Sequence, residues 1–318
     1  MNDKKIKLII QIPCYNEEET LEKTVSDLPK KIDGIDIIET QIIDDGSSDN
    51  TIKVAKEIGV DHIIALKKHS GLAEVFSKGI ETALDNGADI IVNTDADNQY
   101  YGPDIAKLVK PILDGEADIV VGDRCTAKVK QFSFTKKLLQ KVGTKVACKL
   151  SGLEIKDAVS GFRAYSREAA SKIYIQTEFS YTIETLIQAG RDHLKVVSVP
   201  IKVNRVDRKS RLVKSIPNFI INQFKTMVRA YTAYYALTVF TIIGMFMIIP
   251  GVLGIIRFLY YFLTGNGSGH IQSIIISVML IITGTNIFLI GLLADSVSFN
   301  RKLIKKILYR INKDKSTK

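Results

Sequence analysis

Short apolar runs alternate with stretches of helical periodicity through the first half of the chain. Residues 7–12, 36–43, 61–66, 89–93 and 118–121 predict strands, each rich in Ile, Val and Leu, with helical stretches between them. Apolar strands alternating with helices are what a parallel sheet covered on both faces requires, so the pattern predicts an α/β fold with a mostly parallel, Rossmann-like sheet. Ligands of such open sheets bind beyond the carboxyl ends of the strands, beside the point where strand order reverses. The polar motifs of this chain stand at those ends.

After residue 230 the pattern changes. Residues 234–263 are almost wholly apolar apart from Arg257, and residues 273–294 carry no charge. Each run exceeds the roughly 20 residues that span a bilayer core. The link between them, TGNGSGHIQ at 264–272, has no Lys or Arg, so it suits a tight turn on the far side of a two-helix transmembrane hairpin. A pair of helices buried in a soluble domain is the competing reading, in which Pro250 is awkward. In a membrane span Pro250, with Gly251 and Gly254, is tolerated as a kink, and Arg257 near the far interface can snorkel to it.

Two flanking segments read as amphipathic interfacial helices. Ile216, Phe219, Ile220, Phe224 and Met227 share a helical face with Lys214, Lys225 and Arg229 elsewhere; Leu303, Ile304, Ile307, Leu308 and Ile311 repeat this among Lys302, Lys305, Lys306 and Arg310. Packing on the globular domain is the alternative for both. The expected organisation is a catalytic domain over 1–211, a juxtamembrane amphipathic helix over 212–231, the hairpin over 232–295 and a basic amphipathic segment over 296–318.

The formal net charge is +10. Basic residues crowd 202–229 and 301–318, on both flanks of the apolar runs, which favours a membrane surface over nucleic acid as the partner. Cys14, Cys125 and Cys148 are odd in number and lack metal-ligand spacing, so they read as reduced thiols. The first apolar run is about six residues, too short for a signal-peptide core. The expectation is a multi-pass protein of the cell membrane with its catalytic domain in the cytoplasm.

Four motifs bear chemistry. The first strand runs into Pro13-Cys14-Tyr15-Asn16-Glu17-Glu18-Glu19, and the second into Asp44-Asp45-Gly46-Ser47-Ser48-Asp49. Carboxylates at a strand end can grip a base or a ribose hydroxyl, and Ser48 or Asp49 can cap the next helix. The fourth strand runs into Asp95-Ala96-Asp97-Asn98-Gln99. Two carboxylates one residue apart can converge on one hard divalent cation, to which Gln99 adds an oxygen. Such an ion would neutralise a departing diphosphate. Ser160-Gly161-Phe162-Arg163 completes the set.

In this order PCYNEEE, DDGSSD, DADNQ and SGFRAYS resemble glycosyltransferase family 2, and more narrowly its dolichol-phosphate mannose synthase and polyprenyl-phosphate glycosyltransferase branch, over roughly residues 6–211. The resemblance implies a GT-A fold (a nucleotide-diphospho-sugar transferase) in which Pro13, Tyr15, Glu17, Asp45, Asp95 and Ala96 line the donor nucleotide. Asp95, Asp97 and Gln99 would take Mg2+ or Mn2+. Arg124 matches a family arginine beside the donor phosphates or acceptor. Arg205 and Arg211 match a basic pair that holds phosphates as the site closes, although the loop between them lacks the usual glycine. Lys137, Lys141, Lys145 and Lys149, beside Leu138, Val142, Val146 and Leu150, stand at the acceptor-loop position, where a helix at the membrane would admit an isoprenoid phosphate. A solvated lysine face over a core-facing stripe is the alternative there. Ser160 and Arg163 join Lys137 and Lys141 as acceptor candidates.

Asp157 stands where many relatives place a catalytic base. A phosphate monoester has its second pKa near 6 and is already an anionic nucleophile at neutral pH, so Asp157 is expected to orient the acceptor or Arg163 instead. In-line attack on the anomeric carbon would invert it. The expected reaction is transfer of a hexose from a nucleotide-diphosphate sugar, GDP-mannose slightly favoured over a UDP-sugar such as UDP-glucose, to a polyprenyl or dolichyl phosphate. A processive polysaccharide synthase would need a Trp-bearing motif and more spans, and the chain has no Trp. A nucleotide-sugar sensor would not need the intact acidic set. Membrane lipids are further partners, and a homo-oligomer stays open.

Overall fold

The computed structural model describes residues 5–125, 134–175, 181–204, 235–265 and 270–315, with isolated positions between 221 and 232; within 134–139 and most of 299–315 only the backbone is described. Two units emerge, Met1–Ala230 with Asn312–Lys318, and Tyr231–Ile311.

The predicted strands form where expected: β1 (Lys7–Cys14), β2 (Ile37–Asp44), β3 (His62–Ala65), β4 (Ile90–Asn93) and β5 (Ile119–Asp123). Two strands join them that the hydropathy pattern did not signal, β6 (Arg163–Ser166) and β7 (Val196–Pro200). The sheet order is β3-β2-β1-β4-β6-β5-β7. β6 runs antiparallel to both β4 and β5, and the other pairings are parallel. The mostly parallel α/β fold is thus observed, and the order reverses between β1 and β4.

Helices α1 (Leu21–Ser26), α2 (Thr51–Glu57), α3 (Leu72–Asp85), α4 (Ile105–Leu113), α5 (Phe134–Ser151), α6 (Arg167–Lys172) and α7 (Tyr181–Arg191) complete this unit. Successive residues Leu8, Ile9 and Ile10 of β1 are all inaccessible to solvent, because both faces of the sheet are covered. One face packs Ile10, Ile42, Val92 and Val120 with Leu21, Ala55 and Leu108. On the other, α3 lies across β1 and β2 and against α7, where Phe76 stacks on Tyr181 at 3.8 Å. Burial of a Leu- or Ile-sized side chain contributes about 1.5–3 kcal/mol, so this double layer holds the strand ends rigidly.

The second unit contains α8 (Ala236–Leu263), while α9 (Ile271–Lys315) begins in it. α8 and the first 28 residues of α9, Ile271–Ser298, are long and apolar enough to cross a bilayer. Only 11% and 17% of their most apolar windows is buried. That excludes the soluble-core reading for these helices, because Phe246, Leu263 and Leu293 are 79%, 76% and 69% exposed and need an apolar medium. The helices associate with the membrane.

What they bury against each other is small. Ser277, Gly284 and Gly291 recur every seven residues along α9, where Ser277 meets Gly251, Gly284 meets Gly244 and Gly291 meets Phe240 of α8. A Cβ on Gly284 would lie 2.6 Å from Ile248 Cγ1 and 2.7 Å from the Gly244 carbonyl oxygen. Close backbone approach of this kind replaces the hydrophobic effect as the force joining helices in lipid. Gly284→Leu is therefore expected to destabilise the helix pair by about 1–3 kcal/mol, seen as a lower melting temperature of helical circular dichroism in detergent.

The expected basic segment over 296–318 is not a separate helix. α9 continues unbroken to Lys315, since no Gly or Pro interrupts residues 292–315. Of the expected juxtamembrane helix, Ile216, Phe219 and Ile220 lie outside the described residues, while Phe224 is exposed and Met227 buried, so those two do not share one environment.

Candidate active site

Asn93 ends β4 opposite Gln11 of β1 and Arg163 of β6. Gln11 donates to its amide oxygen at 2.9 Å, while its own amide nitrogen donates to the Gly161 carbonyl at 3.0 Å and the Tyr181 hydroxyl at 2.9 Å. This polar string crosses the sheet at its carboxyl edge and fastens the 160–161 loop beside Asp95. A Cβ on Gly161 would sit 3.0 Å from the Tyr181 hydroxyl and 3.3 Å from Asp95 Oδ1. Only glycine leaves the Asp95 carboxylate undisturbed. Gly161→Ala is accordingly expected to lower turnover about 10- to 100-fold with little change in melting temperature, the signature of a displaced carboxylate rather than a lost fold.

Burial first, and the negative charge of Asp97 second, push the Asp95 carboxyl up to about 7, against the opposing influence of Arg124 and of a hydrogen bond from Tyr100. The Tyr100 hydroxyl also accepts the Gly161 N–H at 3.1 Å, and its ring stacks on Phe162 at 4.8 Å. Tyr100 thereby ties the acidic loop to the 160–163 loop. Asp97 Oδ1 accepts the Gln99 N–H at 3.0 Å, which curls the loop, and Asn98 takes a left-handed φ of 53°. Asn204 secures it from the far side, donating from its backbone to Gln99 O at 2.8 Å and from its side chain to Asn98 O at 3.1 Å.

Two mutually repelling carboxylates in a desolvated loop, with an amide side chain two residues on, form an all-oxygen set suited to a hard divalent cation. Among the described residues no three His, Cys, Asp or Glu side chains gather to hold a metal by themselves. The set fits an ion that takes its remaining ligands from a bound diphosphate or water.

Arg124 and Asp157 form a bidentate pair, Nε to Oδ2 at 2.7 Å and Nη2 to Oδ1 at 2.9 Å, with both side chains at most 8% exposed. Burial opposes the charge on Arg124, but Tyr100, Asp157 and Asp95 outweigh it and hold the guanidinium above the usual arginine range. Asp157 was expected to orient the acceptor or Arg163; its partner is Arg124. Arg163 was expected at the acceptor, yet it is wholly buried and spends its donors on Ser160 O, Thr182 O, Thr185 Oγ1 and Ala158 O. It braces the 158–160 loop. Ser160 is likewise inaccessible, so in this conformation neither touches an acceptor.

Pro13, next to last in β1, is half-buried, and Tyr15 just beyond the strand is 39% exposed. Glu17 Oε2 accepts the Thr20 hydroxyl at 2.8 Å, and its charge is felt by Asp95. The Ala96 carbonyl accepts from Thr24 at 2.8 Å. Ser48 or Asp49 was expected to cap α2; the N-cap is Asn50, and Asp49 just before it accepts the Thr51 N–H at 3.0 Å. Asp45 is 4% exposed, and its carboxylate takes the Ser70 N–H at 2.6 Å, the Gly71 N–H at 3.0 Å and His69 Nδ1 at 2.9 Å.

On α5, Lys141, Val142, Lys145, Val146 and Lys149 are all exposed, and the buried side is Ala147. Val142 and Val146 of the apolar stripe are therefore not core-facing, while Leu150 is half-buried. Lys137 lies in α5 with its side chain undescribed, and Arg205 and Arg211 lie outside the described residues. Sequence reasoning missed Tyr100, Tyr181 and His69; the tyrosine directly after DADNQ was the one local signal for the first.

The profile of glycosyl transferase family 2 matches residues 9–174. UDP-N-acetylglucosamine–dolichyl-phosphate N-acetylglucosaminyltransferase of Methanococcus voltae is 34% identical over 224 residues, 64% of this chain and 86% of that protein. Dolichol-phosphate mannosyltransferase of Pyrococcus furiosus is 33% identical over 205 residues, 61% of this chain and 56% of that one. Glucosyl-3-phosphoglycerate synthase of Mycobacterium tuberculosis, solved with Mn2+, UDP-glucose and phosphoglyceric acid, superposes with a TM-score of 0.55 over 71% of this chain and 80% of that one at 19% identity, a likeness of fold. With a seven-stranded GT-A sheet and more than half its length matched, the chain is a glycosyltransferase and belongs to glycosyl transferase family 2.

Proposed function

We propose that this glycosyltransferase moves a sugar, with inversion, from a nucleoside-diphosphate sugar to the phosphate of a polyprenyl or dolichyl lipid at the cytosolic face of a membrane. The observation that carries the reading is the conjunction, in one chain, of the partly buried, mutually repelling Asp95 and Asp97 carboxylates with a bilayer-length apolar helix pair. A soluble donor and an insoluble acceptor call for that conjunction. Both relatives named above act on dolichyl phosphate by their names, one with N-acetylglucosamine and one with mannose.

In the proposed step a phosphate oxygen attacks the anomeric carbon while its bond to the diphosphate oxygen breaks and the nucleoside diphosphate leaves. No proton need be removed from an acceptor that is already anionic at neutral pH. Asp157, committed to Arg124, is then a positioning group and not a base. Asp95, Asp97 and Gln99 would hold Mg2+ or Mn2+, which would supply charge neutralisation for the leaving diphosphate. Arg124 lies close enough to Asp95 to steady the same negative charge. Arg205 and Arg211 are proposed phosphate contacts, and Lys137 and Lys141 are proposed guides for the acceptor headgroup. The catalytic portion is proposed to span 1–211.

The test is a panel of labelled GDP- and UDP-sugars with short polyprenyl and dolichyl phosphates, supplied to membranes containing the chain. One donor is expected to give a mild-acid-labile lipid product. Failure of every lipid phosphate, with donor hydrolysis intact, would overturn the acceptor claim.

A further inference from the structure

The turn end of the helix pair holds a cation that the reaction as described leaves unused. Arg257 is the one charged residue of α8, and it stands about 9 Å along the axis from the last residue, Leu263. Its side chain is exposed. Asp295 is the only acidic residue between positions 231 and 311. Gly254 of α8 meets Ser277 of α9, and Asp295 lies about 27 Å further along α9, away from the turn. No carboxylate of this unit can therefore neutralise the guanidinium, and a lone charge on a bilayer-length helix is costly until it finds a partner.

The surroundings of Arg257 are organised. Its Cζ lies 5.8 Å from the centre of the Tyr261 ring, one helical turn on. His270, immediately before α9, stacks on the same ring at 4.1 Å and 28°, so both sides of the turn contribute to one row of Arg257, Tyr261 and His270. The Thr264 hydroxyl reaches the Tyr260 and Tyr261 carbonyls, each at 3.1 Å, and closes the last turn of α8 beneath them. Leu259, Tyr260 and Phe262 are exposed around the row. Tyrosines among exposed aliphatic and aromatic side chains belong at the level where acyl chains give way to headgroups. A ligand at that level must be an amphiphile, with a negative group for Arg257 and a hydrocarbon part for its neighbours.

We propose that Arg257, with Tyr261 and His270 beside it, binds the phosphodiester of a membrane phospholipid, whose acyl chains lie along the exposed apolar face of α8. The planar guanidinium fork matches two phosphate oxygens, which an ammonium would hold only as a point charge. Tyr261 steadies the guanidinium and His270 fixes the Tyr261 ring. A phospholipid held there sets how deep the helix pair sits in the bilayer. The site is separate from sugar transfer and does not depend on that reading.

The experiment is photolabelling of the full-length protein in detergent with limiting phosphatidylglycerol that carries a photoreactive group near its headgroup, followed by peptide mass spectrometry. The native chain is expected to take label within residues 254–272. Arg257→Gln should cut that label about tenfold. Arg257→Lys, which keeps the charge without the fork, should cut it about threefold. Label on the basic stretch 301–310, which any anionic lipid can reach, should be the same in all three proteins and serves as the internal reference. Diacylglycerol bearing the same photoreactive group lacks the phosphate and should label the turn at no more than about a tenth of the phospholipid yield. The helix contact at Gly244 and Gly284 is untouched, so the melting temperature should not fall. Equal labelling of the turn in Arg257→Gln, or equal labelling by diacylglycerol, would overturn the proposal. So would displacement of the label by a short polyprenyl monophosphate at concentrations where unlabelled phosphatidylglycerol has no effect, which would assign the row to the acceptor lipid.

Discussion

Asp97→Asn is expected to reduce sugar transfer about a thousandfold while leaving the protein folded, because the amide removes half of the charge that would hold the divalent ion. Asp95→Asn should silence the enzyme similarly but with a second, opposite effect on stability. The native carboxyl titrates near 7, above its unfolded value near 4, so the folded state holds a proton that the unfolded state releases between those pH values. Stability from this group is then greatest below about pH 4 and falls as the pH rises to 7. Asparagine never ionises and escapes the loss. With EDTA present, Asp95→Asn should melt above the native protein at pH 8 and level with it near pH 4, the gap corresponding to roughly 1–2 kcal/mol after allowance for a carboxylate that is only partly shielded from solvent. More than a tenth of native activity in Asp97→Asn, or a gap that does not widen with pH, would contradict the assignment.

The second large effect concerns Arg124 and Asp157. Removing either partner strands a buried charge, at a cost of about 3–5 kcal/mol, so Arg124→Met and Asp157→Leu should each be strongly destabilised. The double variant should regain most of the stability, since two apolar side chains can fill the same space without desolvated charge, yet should stay inactive because no guanidinium faces Asp95. Asp157→Asn separates positioning from base catalysis. It should lower kcat about tenfold and leave the pH dependence of kcat/KM unaltered, whereas loss of a general base would remove the acidic limb. Chemical denaturation of the four proteins, alongside the rate profile, checks both parts.

The elements legible in the chain were those whose burial is written in local composition. β4 and β5 open with runs of Ile and Val buried on both faces, β1 is buried from Leu8 to Ile12 and β2 over its second half, and α8 and α9 declare themselves by long apolar runs. β6 did not, because its four residues begin with an arginine, and a fully buried arginine is intelligible only once its acceptors from 158–160 and 182–185 are assembled around it. The same holds for Asp157, whose partner lies 33 residues away in sequence. Local spacing suggested an acceptor or Arg163; the fold supplied Arg124. The α5 stripe failed in another way. Val142 and Val146 have core-like periodicity, but the surface beneath the helix is closed by Ala147 and by the contact of Ser151 with Gly190, leaving both valines outside. Of the site itself, the acidic loop was readable because its carboxylates stand one residue apart, while Tyr100 beside that motif and Gly161 within SGFR act through tertiary contacts that their place in the sequence does not show, and Tyr181 had no local signal.

One reconstitution tests the central claim most directly. The purified chain in liposomes would be given its preferred nucleotide sugar with Mn2+, and either a polyprenyl phosphate or the matching polyprenol. Glycolipid that forms only from the phosphate, stops on addition of EDTA and vanishes in Asp97→Asn is the predicted result. Equal transfer to the unphosphorylated alcohol, or transfer undiminished by EDTA, would contradict it.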